Sequence, residues 1–115
     1  MGARLVDRVA VIATREFGLP DTALRGLRSV LERHPQVRRV IVFGSRAKGN
    51  FRPGSDIDLA LDAPNMPFAE LLHIEREIDD LLLPYETDVV LLAQIESPAL
   101  LEHIARVGKT FWVSH

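Results

Sequence analysis

Apolar positions recur at helical spacing in four stretches of the chain and alternate or run together in four others. Val6, Val9, Ala10, Ala13 and Phe17 share one helical face, which Gly18 and Pro20 close. Asp21 reads as the N-cap of a second helix, with Leu24, Leu27, Val30 and Leu31 inward and an end before Pro35. Val37 to Phe43 is rich in β-branched residues and reads as a buried strand. Gly44 to Asn50 form a turn or short helix, and Pro53-Gly54 mark a loop. Asp56 to Asp62 alternates strictly, with Ile57, Leu59 and Leu61 on one face and Asp56, Asp58, Ala60 and Asp62 on the other. That predicts a strand with one apolar side. Asn65 and Pro67 open a helix whose inner stripe is Phe68, Leu71, Leu72, Ile78 and Leu82, and Pro84 ends it. Thr87 to Leu92 is a further strand. Ser97-Pro98 starts a last helix with Leu100, Leu101, Ile104 and Val107 inward and Gly108 at the left-handed C′ position. Thr110 to Val113 adds a short edge strand. The order α-α-β-(short α)-β-α-β-α-β predicts an α/β domain with one small mixed β-sheet packed by helices.

Composition narrows the picture without changing it. At 115 residues, 47% hydrophobic and 26% charged, the chain suits one globular domain, and it shows no repeat or low-complexity tract. The absence of cysteine excludes disulfides, zinc-thiolate sites and thiol nucleophiles. Arg4, Asp7, Arg8, Arg15 and Glu16 interrupt the N-terminal apolar residues, so no signal peptide is read there, and no apolar run is long enough to span a membrane. A cytoplasmic protein is the resulting expectation. A net charge of −2 argues against a general nucleic-acid binder.

Asp56 and Asp58 carry the candidate chemistry. Residues i and i+2 on one strand face lie about 6.8 Å apart, so their carboxylates can converge. Two like charges there repel, and strands disfavour Asp. A divalent cation removes the conflict, and oxygen-only ligation suits Mg²⁺ or Mn²⁺. Asp88 opens the next strand; if the two strands are neighbours, it comes within ~5 Å of the pair. Three such carboxylates can hold two metals ~3.5–4 Å apart, as in-line phosphoryl or nucleotidyl transfer requires. The plainer alternative has Asp56 capping a turn after Ser55 and Asp58 facing solvent.

Gly44-Ser45 shifts the balance, because it leaves a buried strand directly and ten residues separate Ser45 from Asp56. Amides at such a strand-to-helix turn, with the Ser45 hydroxyl, attract phosphate. Arg46, Lys48 and Arg52 bring positive charge to the same loop, or form a solvated basic loop. Other signals carry less. Gly108-Lys109-Thr110 mimics the end of a phosphate-binding loop, but His103 stands where the earlier glycine belongs and the triplet closes a helix. His34, His73, His103 and His115 show no metal spacing and read as surface or helix-end residues. Glu70, Glu75, Glu77, Asp79 and Asp80 read as the solvated face of their helix, and Trp112 as core or interface.

The stretch GSRAKGNFRPGSDIDLAL has the G-S-x10-D-x-D signature and resembles the polymerase-β-like nucleotidyltransferase superfamily, with the size of its minimal nucleotidyltransferases (MNT). FGLPD, LLLPYETDVVLL and HIARVGKTFW resemble the branch that is partnered with HEPN-domain proteins. The resemblance implies the polymerase-β-like fold over residues 17–115, with 1–16 an N-terminal helix or extension. It implies that Asp56, Asp58 and Asp88 are metal-binding catalytic carboxylates and that Gly44 and Ser45 hold the terminal phosphates. Arg46 and Ser55 are further nucleotide-binding candidates. It also implies Mg²⁺ or Mn²⁺ as cofactor, ATP as donor, and AMP transfer to a tyrosine of a HEPN toxin, a type VII-like antitoxin. Two rivals stand beside it: an antitoxin that neutralises its partner by contact alone, and an enzyme acting on an aminoglycoside-like small molecule.

Overall fold

The computed structural model describes residues 15–114. The stripe Val6, Val9, Ala10 and Ala13 lies outside them. Phe17 sits in a 3-10 turn, Glu16–Gly18, at φ 56°, so regular helix does not extend to it. The remaining elements follow as α1 (Asp21–Glu32), β1 (Arg39–Phe43), α2 (Ser45–Lys48), β2 (Ile57–Asp62), α3 (Phe68–Asp79), β3 (Thr87–Leu91), α4 (Pro98–Val107) and β4 (Lys109–Val113). They build a four-stranded sheet in the order β3-β2-β1-β4. β1 is antiparallel to both β2 and β4, while β2 and β3 are parallel. The sheet is therefore mixed, as the pattern predicts.

Strand alternation divides the core in two. Val40, Val42, Ile57, Leu59, Leu61, Val89, Leu91 and Phe111 pack with the buried faces of α1 and α3. On the opposite face Phe43 and Ala60 pack with Ile104 of α4, and Ile41, Val90 and Leu100 lie against them. This corrects the expectation for β2: Ala60 is fully buried, so the face that carries Asp58 is also covered, by α4. Asp58 thus lies at the margin of a packed layer, half-buried.

Local details differ from the pattern for identifiable reasons. Pro20, extended at ψ 155°, is the residue before α1, and Asp21 is its first helical residue with no side-chain cap bond. A carboxylate in the first turn still favours the helix dipole. On α3 the buried residues are Leu71, Ile74 and Ile78, while Phe68, Leu72 and Leu82 are exposed. The sequence stripe was too wide: Leu72 is rotated about 100° from Leu71, and Leu82 lies past the helix at φ 54°. On α4 only Ile104 is buried, and Ser97 caps as expected, its hydroxyl accepting from the Leu100 amide at 3.2 Å. Gly108 is not left-handed but extended, at φ −61° and ψ 145°. Glycine is needed there because a Cβ would strike the Ile104 carbonyl and the Ile41 side chain. His34 is not on the surface but buried, with a carboxylate oxygen 2.7 Å from each ring nitrogen, from Glu70 and from Glu77. Glu70 and Glu77 are thus not a solvated face.

Candidate active site

β1 delivers the chain to Gly44, which adopts φ 72° and ψ −154°, a conformation side chains rarely tolerate. A Cβ there would also collide with Oδ2 of Asp58. The register explains the approach: Phe43, the last residue of β1, is paired with Asp58 on β2. The glycine and the second aspartate of the sequence pattern are therefore in direct contact. Ser45 then starts α2, whose first turn leaves the amides of Ser45, Arg46 and Ala47 without intrahelical acceptors.

The Gly44 N–H is already engaged. It donates to Nε2 of His103, at 3.1 Å, across 59 positions of sequence. His103 comes from α4 and meets the Phe43 ring edge-on at 6.2 Å. Nothing in local spacing marks this histidine. Only the packing of α4 over β1 brings it to the loop.

The loop between α2 and β2 is held by the other two nucleotide-binding candidates. Arg46 is only 2% exposed. Its Nη1 donates to the Phe17 carbonyl at 2.8 Å, and Nε and Nη2 donate to the Ser55 carbonyl at 3.1 and 2.8 Å. The guanidinium lies 5.2 Å from the Phe51 ring centre and 4.9 Å from that of Tyr85. Burial lowers its pKa, against the opposing charges of Tyr85 and Asp56. Ser55 uses its hydroxyl to accept from the Arg52 amide at 2.8 Å. In this geometry Arg46 and Ser55 shape the loop that carries Asp56, the guanidinium donating to two backbone carbonyls and the Ser55 hydroxyl accepting from a backbone amide. Lys48 and Arg52 are the exposed cations of the loop.

The parallel register of β2 and β3 sets Asp88 directly opposite Asp58. Asp56, exposed, precedes β2 by one residue. Burial pushes the Asp58 carboxyl above its usual range, and the charges of Asp88 and then Asp56 push it further. His103 opposes that rise. No group of three or more His, Asp or Glu side chains among the described residues is arranged as a ready metal site. The donor set nevertheless fits a hard divalent cation: oxygen ligands only, crowded, like-charged, and with one carboxyl driven toward its protonated form. Beside Asp58 and Asp88 opens a cleft of about 530 Å³ that also reaches Glu75 and Asp79 on α3.

Comparisons with known proteins bear on the fold. The family model "Polymerase beta, Nucleotidyltransferase" matches residues 26–114. A comparison with curated protein sequences finds no match. Among solved structures, a chain of a toxin–antitoxin complex with AMP-PNP is 22% identical with a TM-score of 0.65, over 80% of this chain and 74% of that one. A chain of the MntA–HepT toxin–antitoxin is 20% identical with a TM-score of 0.61, over 83% and 74%. A chain from the complex of a tri-AMPylated Shewanella oneidensis HEPN toxin with MNT antitoxin is 19% identical with a TM-score of 0.59, over 80% and 71%. These likenesses concern the fold. Among the described residues, no helix is long and apolar enough to cross a membrane.

Proposed function

The chain belongs to the Polymerase beta nucleotidyltransferase family, and on that premise we propose that it moves AMP from ATP onto a hydroxyl of a HEPN-domain partner, a tyrosine, and so acts as its antitoxin. The observation that carries this reading is the stacking of Gly44, Asp58 and Asp88. The glycine lies against the Asp58 carboxylate, and the register sets Asp88 beside it on the next strand. Partner and nucleotide are supported by the similar structures, one complex holding AMP-PNP and another a tri-AMPylated HEPN toxin.

Asp56, Asp58 and Asp88 would hold Mg²⁺ or Mn²⁺. Such an ion, when bound, supplies positive charge to the triphosphate and to the departing pyrophosphate. The chain's own groups do the rest. The free amides at the start of α2 and the Ser45 hydroxyl receive the terminal phosphates. Arg46 keeps that turn and the Asp56 loop in register through the Phe17 and Ser55 carbonyls. Asp88, on the exposed side of the trio, accepts the proton of the acceptor hydroxyl as its oxygen attacks the α-phosphorus. The new O–P bond forms while the bond to pyrophosphate breaks.

The test is the intact mass of purified HEPN partner after incubation with ATP, Mg²⁺ and each variant. Wild type should add at least one AMP unit. Asp88→Asn should add none while still co-purifying with the partner. Silencing of the partner by wild type with no added mass would make the chain an antitoxin by contact alone.

A further inference from the structure

The cleft beside Asp58 and Asp88 extends beyond the aspartate trio to α3. Four consecutive residues of β3, Thr87 to Val90, line it, and β3 is an outer strand of the sheet. An outer strand leaves one row of backbone N–H and C=O groups unpaired, which suits an extended chain laid alongside. Phe43, Ile78 and Leu100 give the cleft an apolar lining. Glu75 and Asp79 also line it, and among the described residues no basic residue does.

Those two carboxylates are placed by helical spacing. Glu75, Ile78 and Asp79 stand at i, i+3 and i+4 on α3, so they share one face. Glu77, on another face of the same helix, is engaged by His34 and Arg33. Glu75 and Asp79 take part in none of the ion pairs among the described residues. A volume of about 530 Å³ lies within the range of sites that enclose a ligand.

We propose that this cleft receives the acceptor as an extended polypeptide segment along β3, and that Glu75 and Asp79 select a segment with Lys or Arg beside the acceptor hydroxyl. The inference rests on the transfer reading above and names what that site accepts. Apolar walls take the side chain that bears the hydroxyl and lead it to Asp88. The two carboxylates then meet the neighbouring cation. They stand on α3, apart from the paired strands that carry Asp58 and Asp88, and act on specificity.

The experiment compares wild type with Glu75→Gln/Asp79→Asn, using the full chain, the HEPN partner, ATP and Mg²⁺. In the double variant the KM for the partner should rise about tenfold while the KM for ATP stays constant. Partner affinity, measured by calorimetry without ATP, should weaken likewise and lose much of its salt dependence. Glu75→Lys/Asp79→Lys should recover transfer to a partner whose Lys or Arg beside the acceptor is changed to Glu. Unchanged partner KM, affinity and salt slope in the double variant would overturn the proposal. So would preferential transfer by wild type to kanamycin, a small polycation, over the partner. Absence of transfer by wild type would fail the activity reading alone, because the calorimetric comparison still decides the role of Glu75 and Asp79.

Discussion

Two groups of carboxylates in this domain are treated in opposite ways. Glu70 and Glu77 close on the buried ring of His34, each at 2.7 Å, and Glu77 also meets Arg33 at 3.3 Å. Asp56, Asp58 and Asp88 close mainly on one another, and the result is a carboxyl pushed up by burial and by like charge. The first group is supplied with donors and ties α3 to the end of α1. The second is crowded without them, which costs the fold and is explicable if a cation completes it. Both groups are carboxylates; what differs is whether the fold has provided the counterpart.

The comparison can be broken most severely at Gly44. Gly44→Ala should reduce transfer by about 100-fold or more, since a Cβ displaces the Asp58 carboxylate and small misplacements are costly. It should also lower stability by about 1–3 kcal/mol, because φ 72° with ψ −154° is a region open essentially to glycine alone. Ser45→Ala, which loses a hydroxyl and keeps the amides, should lose much less activity. Steady-state rates and denaturant melts separate the two, and equal, mild effects would contradict a phosphate-binding turn.

The structural group should show the converse. His34→Ala removes the ring on which Glu70 and Glu77 both close and should cost about 1–3 kcal/mol of stability. Transfer per folded molecule should stay at the wild-type value. A loss of activity without a loss of stability would reverse the roles assigned to the two groups.

A smaller effect sharpens the contrast by pH. Asp58 binds its proton more tightly folded than unfolded, because burial and then Asp88 and Asp56 raise its pKa. Its contribution is therefore fully present below the ordinary value of 3.8 and is lost as pH rises through the raised value. Metal-free wild type should lose stability across that window relative to Asp58→Asn. Melting temperatures of the two proteins against pH measure the difference, and parallel curves would contradict the crowding.

Much of this was legible in the sequence, though not evenly. The strands announce themselves by β-branched runs and alternation, and the parallel neighbour of β2 is the one that brings Asp88 opposite Asp58. Helix faces were less legible: Ile74 is fully buried on α3, whereas Phe68 and Leu72 extend the apolar arc beyond what the sheet covers. Arg46 reads as a loop cation because its partners, Phe17, Tyr85 and the Ser55 carbonyl, are assembled only by the fold. His103, which reads as a surface or helix-end residue, is the clearest misreading, since its bond to Gly44 depends on where α4 crosses the sheet. Local patterns reveal elements and motif residues; the groups that hold a motif in place come from contacts distant in sequence.

The central claim is that the aspartate trio is an electrostatically incomplete site that a metal–nucleotide complex completes. Calorimetric titration of ATP with Mg²⁺ into wild type and into Asp56→Asn/Asp58→Asn tests it directly, with metal-free melting temperatures measured on the same samples. The double variant should lose Mg²⁺-dependent nucleotide binding and melt at the same temperature as wild type or higher, because like-charge repulsion is removed. Unchanged Mg²⁺-dependent affinity, or a variant that no longer folds, would contradict the account.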